Sequence, residues 1–492
     1  MTLPVGDLLA ILPELIVIGA ACLVLALDPI TPPDKKDWLA WLALGALVVC
    51  IGVTASQMGG VVLAFSDLVI IDPYACFWKL LLYGASGLTI LLSLSYLKEE
   101  RIHLAEYYGF LLLSLVGMMV MVSAADLLTI YLGLELMSLA LYVLAGFRRV
   151  ESRSLEASAK YFVLGSFSSG ILLYGISLLF GLTGSTRLSA IAVATSTNGL
   201  NDPAMILAMA LLVVGFGFKI AVVPFHMWTP DVYEGSPTSV TAFMAVASKV
   251  ASFAAFMRVF LEGLGGLKPH WEGLFLALCV ATLVLGNVVA IVQTNIKRML
   301  AYSSIAHAGY ALIGVVVAGH PDAETSVRTL GLSSVMLYLA VYAFMTLGAF
   351  AVVAMVRKQG VEGDEIEDFA GLSKRHPVAA LLMLVFMVSL AGIPPTAGFI
   401  GKFYLFMAAI KAGLTWLAIV AVVLTAISAY FYLRVVMVMY MREPQSVGPA
   451  TRFATSPAIA VVLACALAGV VLLGLFPNVL VSLSSQSVLL LK

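Results

Sequence analysis

Charge is what this sequence is shortest of. Only 11% of its 492 residues are Asp, Glu, Lys or Arg, against roughly 25% in a soluble domain, so it lacks the polar surface that water demands. The few charges cancel, 27 basic against 27 acidic, and so even a balance gives no support to nucleic-acid binding. Cysteine is scarce too. Cys22, Cys50, Cys76, Cys279 and Cys465 are scattered, no spacing among them resembles a zinc or iron–sulfur site, and each reads as a packed or lipid-facing side chain. A phosphate-binding glycine loop and a metal-spaced histidine pair are both missing, so no redox cofactor or metal is expected on this chain. The start, Met-Thr-Leu-Pro-Val-Gly-Asp, has no basic segment before its apolar run, and the first hydrophobic segment is expected to be retained rather than cleaved.

Apolar sequence is what fills the chain: 62% of residues are hydrophobic and the mean hydropathy is +1.07. A membrane helix needs about 20 mostly apolar residues, and runs of that kind recur from Leu8–Leu27 to Ala458–Leu475. They predict an all-α polytopic membrane protein with about 14 spans. The spans centre near Ile18, Leu47, Ala85, Leu115, Glu135, Ile171, Val214, Ala247, Val284, Leu312, Ala343, Ser389–Gly401, Val422 and Val471. Fifteen loop cations then fall on one side, among them Lys35, Arg148, Lys297 and Arg357. Five fall on the other: Arg187, Lys268, Arg328, Lys411 and Lys492. By the positive-inside rule the richer side is cytoplasmic and both termini face outward. Lys79, Lys160, Arg258 and Arg434 lie close enough to span ends for some of them to snorkel to the headgroups.

Lys219, Lys249, Lys402 and Glu135 cannot do so easily. A charge at mid-membrane costs about 2.5–3.5 kcal/mol on insertion scales, so these groups must be paired or hydrated. A lysine on another helix, Lys219 first, is the expected partner of Glu135. A structural salt bridge is the bland reading. A proton relay is the sharper one, because burial disfavours the charged form of lysine and lets it exchange protons near neutrality. Two proline-interrupted segments strengthen it. Gly215-Phe-Gly-Phe-Lys219-Ile-Ala-Val-Val-Pro224-Phe-His226 and Gly392-Ile-Pro394-Pro395-Thr-Ala-Gly398-Phe-Ile-Gly401-Lys402 each predict a helix broken at depth beside a buried lysine. Such breaks are tolerated only against protein or a cavity, and they mark ion sites in transporters. Two of them suggest an internal repeat of architecture, over 107–262 and 263–442, preceded by a segment 1–106 and followed by 443–492. Ser303 and His307 share one helix face, where either packing or a water path would account for them. Tyr338, Tyr342 and Thr346 recur every four residues and read first as packing, like the close helix contact expected of Gly165-Ser-Phe-Ser-Ser-Gly170.

The runs Lys219-Ile-Ala-Val-Val-Pro-Phe-His226-Met-Trp-Thr-Pro-Asp-Val-Tyr-Glu-Gly235, then Lys249, and Lys297-Arg-Met-Leu-Ala-Tyr-Ser-Ser-Ile-Ala-His307 strongly resemble the antiporter-like subunits of respiratory complex I. The resemblance covers nearly the whole chain. The lysine at 402 sets it apart from the branch that usually carries glutamate there. The resemblance implies two inverted five-helix repeats, each with a half-channel and one broken helix. Glu135 and Lys219 would be the charge pair of the first half-channel, Lys249 the central relay and Lys402 the terminal group, with His226, Lys160 and His307 assisting. It also implies redox-driven proton translocation in a bacterial inner membrane, beside an antiporter-like neighbour and small membrane subunits. NADH, FMN, iron–sulfur clusters and quinone would sit in partner subunits. A multi-subunit cation/proton antiporter shares the fold and is the alternative.

Overall fold

A computed structural model describes residues 5–32, 35–100, 102, 104–197, 202–358, 361–443, 452–453 and 455–488. The two terminal segments, for which an outward position is expected, lie partly outside these, as do Lys492 and Arg101 of the loop cations. The chain is helical nearly throughout, as its unbroken apolar runs require: with no water in a bilayer core, each backbone N–H must find its carbonyl within the segment. In chain order the principal helices are α1 (Leu12–Leu27), α2 (Asp37–Gln57), α3 (Pro73–Glu99), α4 (Glu106–Ser123), α5 (Leu127–Ala145) and α6 (Ser152–Thr183). Then follow α7 (Pro203–Ile220), α8 (Trp228–Gly235), α9 (Thr238–Gly263), α10 (Lys268–Ala290), α11 (Ile296–Gly319) and α12 (Thr325–Met355). The last are α13 (Pro377–Ala391), α14 (Ala397–Lys411), α15 (Thr415–Met441) and α16 (Pro457–Leu475). Among the described residues, 12 of the helices are long and apolar enough to cross a membrane. The shorter α1 and the interrupted pair α13/α14 occupy the two remaining span positions read from the sequence.

Helix starts follow local chemistry. Asp72 Oδ1 accepts the Ala75 N–H at 2.7 Å, Asp126 Oδ1 accepts from Leu128 and Thr129, and Asn295 Oδ1 accepts from Arg298, each satisfying N–H groups that a helix start leaves free. Burial then sorts the helices into a core and a jacket. The apolar stretches of α9, α11 and α12 are 100%, 94% and 94% buried, while those of α2 and α16 are only 33% and 28% buried and turn their apolar sides outward. The core helices are the ones that carry Lys249, His307 and the tyrosine stripe. Two small β elements sit in the connections: a hairpin pairing Val62–Ala64 with Val69–Ile71, and a short ladder around Val356–Lys358.

Gly165 does mark a close contact, since a Cβ there would lie 2.1 Å from the Tyr142 hydroxyl. The cations placed near span ends behave differently from one another. Lys79 does not snorkel. It is fully buried and ion-paired to Glu14 of α1 at 2.6 Å. Arg258, 1% exposed, donates to both carboxylate oxygens of Asp72. Lys297, counted among the loop cations, is buried at the start of α11 and lies 3.5 Å from Asp364. Three of the five cysteines are buried (Cys50, Cys76 and Cys279), and Cys22 and Cys465 are exposed.

Candidate functional site: two broken helices and a buried lysine series

The first interruption falls where Pro224 predicts it. Helix α7 ends at Ile220, Ala221 turns left-handed at φ 59°, and the chain becomes helical again only at Trp228. Such a break frees polar backbone groups, and each needs a partner away from water. The Trp228 indole N–H donates to the Phe218 carbonyl at 2.9 Å, and the Val223 N–H donates to Thr282 Oγ1 at 3.0 Å. Trp228 also stacks on Tyr161, with ring centroids 4.6 Å apart, so the break is clamped between α6 and α7. Lys219 sits in the last turn of α7, the negative end of its dipole.

Lys219 is buried, as expected, but its contact with Glu135 is indirect. Its Nζ donates to Ser138 Oγ at 2.7 Å, and no ion pair joins it to Glu135 among the described residues. Glu135, one turn before Ser138 on α5, lies within electrostatic reach of Lys219, and its Oε1 is buried without a hydrogen-bond partner. Lys219 thus rests on a serine rather than on the carboxylate: Ser138 accepts from its Nζ and itself donates to the Leu134 carbonyl at 2.6 Å. Ser138 escaped the sequence reading because serines commonly glue membrane helices. Its only signal was its i+3 spacing from a buried glutamate. His226 lies inside the break, half-buried, with Nδ1 unpartnered. Lys160 is not part of the buried series. It is 43% exposed, bonded to Glu156 at 2.7 Å and to Asp231 of α8 at 2.8 Å, in a charged basin that also holds Arg298.

Lys249 is buried on α9. It follows directly on a π-helical turn, Met244–Ser248, a local widening frequent at functional sites. No carboxylate pairs with it among the described residues. Its Nζ donates to both the carbonyl and the hydroxyl of Ser304, the latter at 2.5 Å. From Ser304 a polar thread runs on. The Tyr342 hydroxyl donates to Ser304 Oγ at 2.9 Å. The Tyr342 ring lies 4.9 Å from that of His307, whose two ring nitrogens meet the hydroxyls of Tyr338 at 2.5 Å and Tyr432 at 3.2 Å. Ser303 bonds to the Tyr432 hydroxyl as well. The tyrosine stripe read as packing thus places its hydroxyls on Ser304 and His307. Periodicity cannot reveal this, because a packed and a hydrogen-bonded tyrosine leave the same pattern.

The second interruption separates α13 from α14. Gly392, at φ 83°, closes α13 in the left-handed conformation that favours glycine. Pro394 and Pro395 occupy the gap, and α14 starts at Ala397. Lys402 reaches back from α14, and its Nζ donates to the carbonyls of Leu390 and Ala391 at 3.1 Å each. Those are carbonyls that the end of a helix leaves unsatisfied. The ammonium also lies 4.6 Å from the centre of the Tyr310 ring, a cation–π distance, and Tyr310 neighbours Tyr338 and His307. Lys219 precedes its proline and Lys402 follows its prolines, yet both ammonium groups belong to the C-terminal end of a first half-helix.

The family model described as NADH:quinone oxidoreductase/Mrp antiporter, TM, matches residues 124–428, a stretch that spans both broken helices and all three lysines. Over 479 residues the chain is 49% identical to NADH-quinone oxidoreductase subunit N 2 of Rhizobium meliloti (strain 1021), covering 97% of each. The chain belongs to the antiporter-like membrane subunits of NADH-quinone oxidoreductase. Among solved structures, an antiporter-like chain of respiratory complex I from Thermus thermophilus superposes with a TM-score of 0.80 at 33% identity, over 96% of this chain and 99% of that one. A chain of the Mrp complex from Dietzia sp. DQ12-45-1b superposes with a TM-score of 0.78 at 21% identity, over 98% and 97%, a likeness of fold alone. Within the antiporter-like subunits this chain falls with those named subunit N, and it is a membrane-spanning part of an enzyme complex.

Proposed function

We propose that the chain conducts protons across the membrane as the subunit N component of a proton-translocating NADH-quinone oxidoreductase. In this reading Glu135, Ser138 and Lys219 form the entry half, Lys249 the centre, and His307 with its tyrosines the link to Lys402. His226 serves the first break, and Lys160 the charged basin above it. The two halves are the repeats 107–262 and 263–442, flanked by 1–106 and 443–492. NADH, FMN, iron–sulfur clusters and quinone belong to partner subunits, and the neighbours in the membrane are another antiporter-like subunit and small helical ones. The membrane is the bacterial inner membrane, with both termini on the periplasmic side.

One observation carries the reading: Lys249 is buried with hydroxyl and carbonyl partners and no counter-ion among the described residues. A structural cation is held by a carboxylate, as Lys79 is by Glu14. A lysine on hydroxyl groups has neighbours that both donate and accept, which is what passing a proton requires. Substitution at this site tests it. Arginine keeps the charge but effectively cannot deprotonate, so Lys249→Arg and Lys249→Ala both assemble and both lose most NADH-driven acidification, while Lys249→His retains some near neutral pH. Full pumping by the arginine variant, normalised to assembled complex, sinks the relay. A cation/proton antiporter is the other activity hosted by this fold. Sodium-dependent transport in vesicles without NADH would favour it.

A further inference from the structure

Between α13 and α16 a groove opens on the outside of the helix bundle. Its walls are apolar. Val378 and Leu382 line one side, and Ala460, Ala464 and Leu467 line the other. The last three are spaced i, i+4, i+7, one stripe of α16, and the two alanines are exposed and keep the groove open. From Ser456 to Leu467 the stripe runs about 16 Å at 1.5 Å per residue. One end is polar: Arg375, His376, Thr455 and Ser456 close it. Arg375 gives one guanidinium nitrogen to the Ala370 carbonyl, and its Nε is buried without a partner.

We infer that this groove holds one anionic phospholipid, its phosphate against Arg375 and an acyl chain along Ala460, Ala464 and Leu467. The occupant follows from the two ends taken together. An apolar slot in the side of a membrane-spanning bundle is bathed by acyl chains, and its single cationic end selects a charged headgroup. Guanidinium matches the geometry of phosphate, and basic pockets at the membrane face recognise anionic lipids. The hydroxyls of Thr455 and Ser456 supply further polar contacts beside it. A free phosphate would use the polar end and leave the slot empty. A zwitterionic lipid would fill the slot too, but would bring its own choline cation up to the guanidinium.

The test uses the assembled complex in detergent. Cys22 and Cys465, the exposed thiols, are replaced by serine, and an Ala464→Cys substitution carries a small fluorophore. Brominated phosphatidylglycerol and brominated phosphatidylcholine are titrated as quenchers. The expected result is quenching by the anionic lipid at a concentration about fivefold lower, because both lipids carry the phosphate and only phosphatidylcholine adds a cation beside Arg375. Arg375→Gln removes that preference, and inorganic phosphate does not compete with the lipid. Four results would each overturn the inference: identical curves for the two lipids, a preference that survives Arg375→Gln, competition by phosphate alone, or an introduced thiol at position 464 that no reagent reaches in the complex because a neighbouring subunit covers it.

Discussion

Gly398→Ala tests whether the second break is a built site or a tolerated irregularity. A Cβ at 398 would lie 1.8 Å from the Ser389 carbonyl oxygen, a backbone atom that cannot swing away. Reaching ordinary contact near 3.4 Å means moving α13 and α14 apart by about the difference. Lys402 spans the same gap, and its two bonds to Leu390 and Ala391 are already 3.1 Å long. Lengthened by more than an ångström they cease to be hydrogen bonds. At about 1.5–3 kcal/mol for each bond to a charged group, the seat of the ammonium weakens by roughly 3–6 kcal/mol, enough to empty it in most molecules at about tenfold per 1.4 kcal/mol. The expected outcome is an assembled complex that oxidises NADH with proton pumping reduced to about a tenth or less. Gly170→Ala, where an added Cβ meets nothing within 4 Å, serves as the control and should pump normally. Quinone-linked acidification in inverted vesicles, measured alongside NADH oxidation, reads both. Wild-type pumping by assembled Gly398→Ala would refute the argument that the closeness of the half-helices seats Lys402.

Three further outcomes are expected. Ser304→Ala removes the hydroxyl shared by Lys249 and Tyr342 and leaves only the carbonyl contact, and it should lower pumping about tenfold or more without loss of assembled complex. Lys79→Met breaks a buried ion pair and should destabilise the N-terminal helices by about 3–5 kcal/mol, while adding Glu14→Gln recovers much of the loss; thermal inactivation of the purified complex measures both. A periplasm-active reporter fused after Lys492 should be active and one inserted in the 357–376 connection silent, and the reverse pattern would overturn the span count.

The buried lysines were legible because each is a single charge in a long apolar run, which a membrane sequence cannot hide. The two breaks were legible because proline at mid-run leaves helix few options. Helix count followed from run length alone. Partners were not legible. Glu14 and Lys79 lie 65 positions apart, each near the end of its own run, and only the ion pair between α1 and α3 shows that they meet. The Glu135 prediction named the right helix and missed that Ser138, one turn on, takes the lysine, because hydrogen-bond reach depends on side-chain direction rather than spacing. The tyrosine stripe shows the same limit: a period of four fixes the face of the helix, and what its hydroxyls meet is decided by α11.

Lys402 has three N–H groups, and the carbonyls of Leu390 and Ala391 take two of them. A neutral amine still carries two. The proton that leaves is therefore surplus to the seat, and the half-helix end stays satisfied in both protonation states. Lys249, with two acceptors on Ser304, has the same arithmetic. Loading and unloading such a site needs no movement of the backbone that frames it. In the proposed relay, gating would then fall on the connections between lysines, where tyrosine hydroxyls and one imidazole can turn, while the lysines stay put as fixed stations.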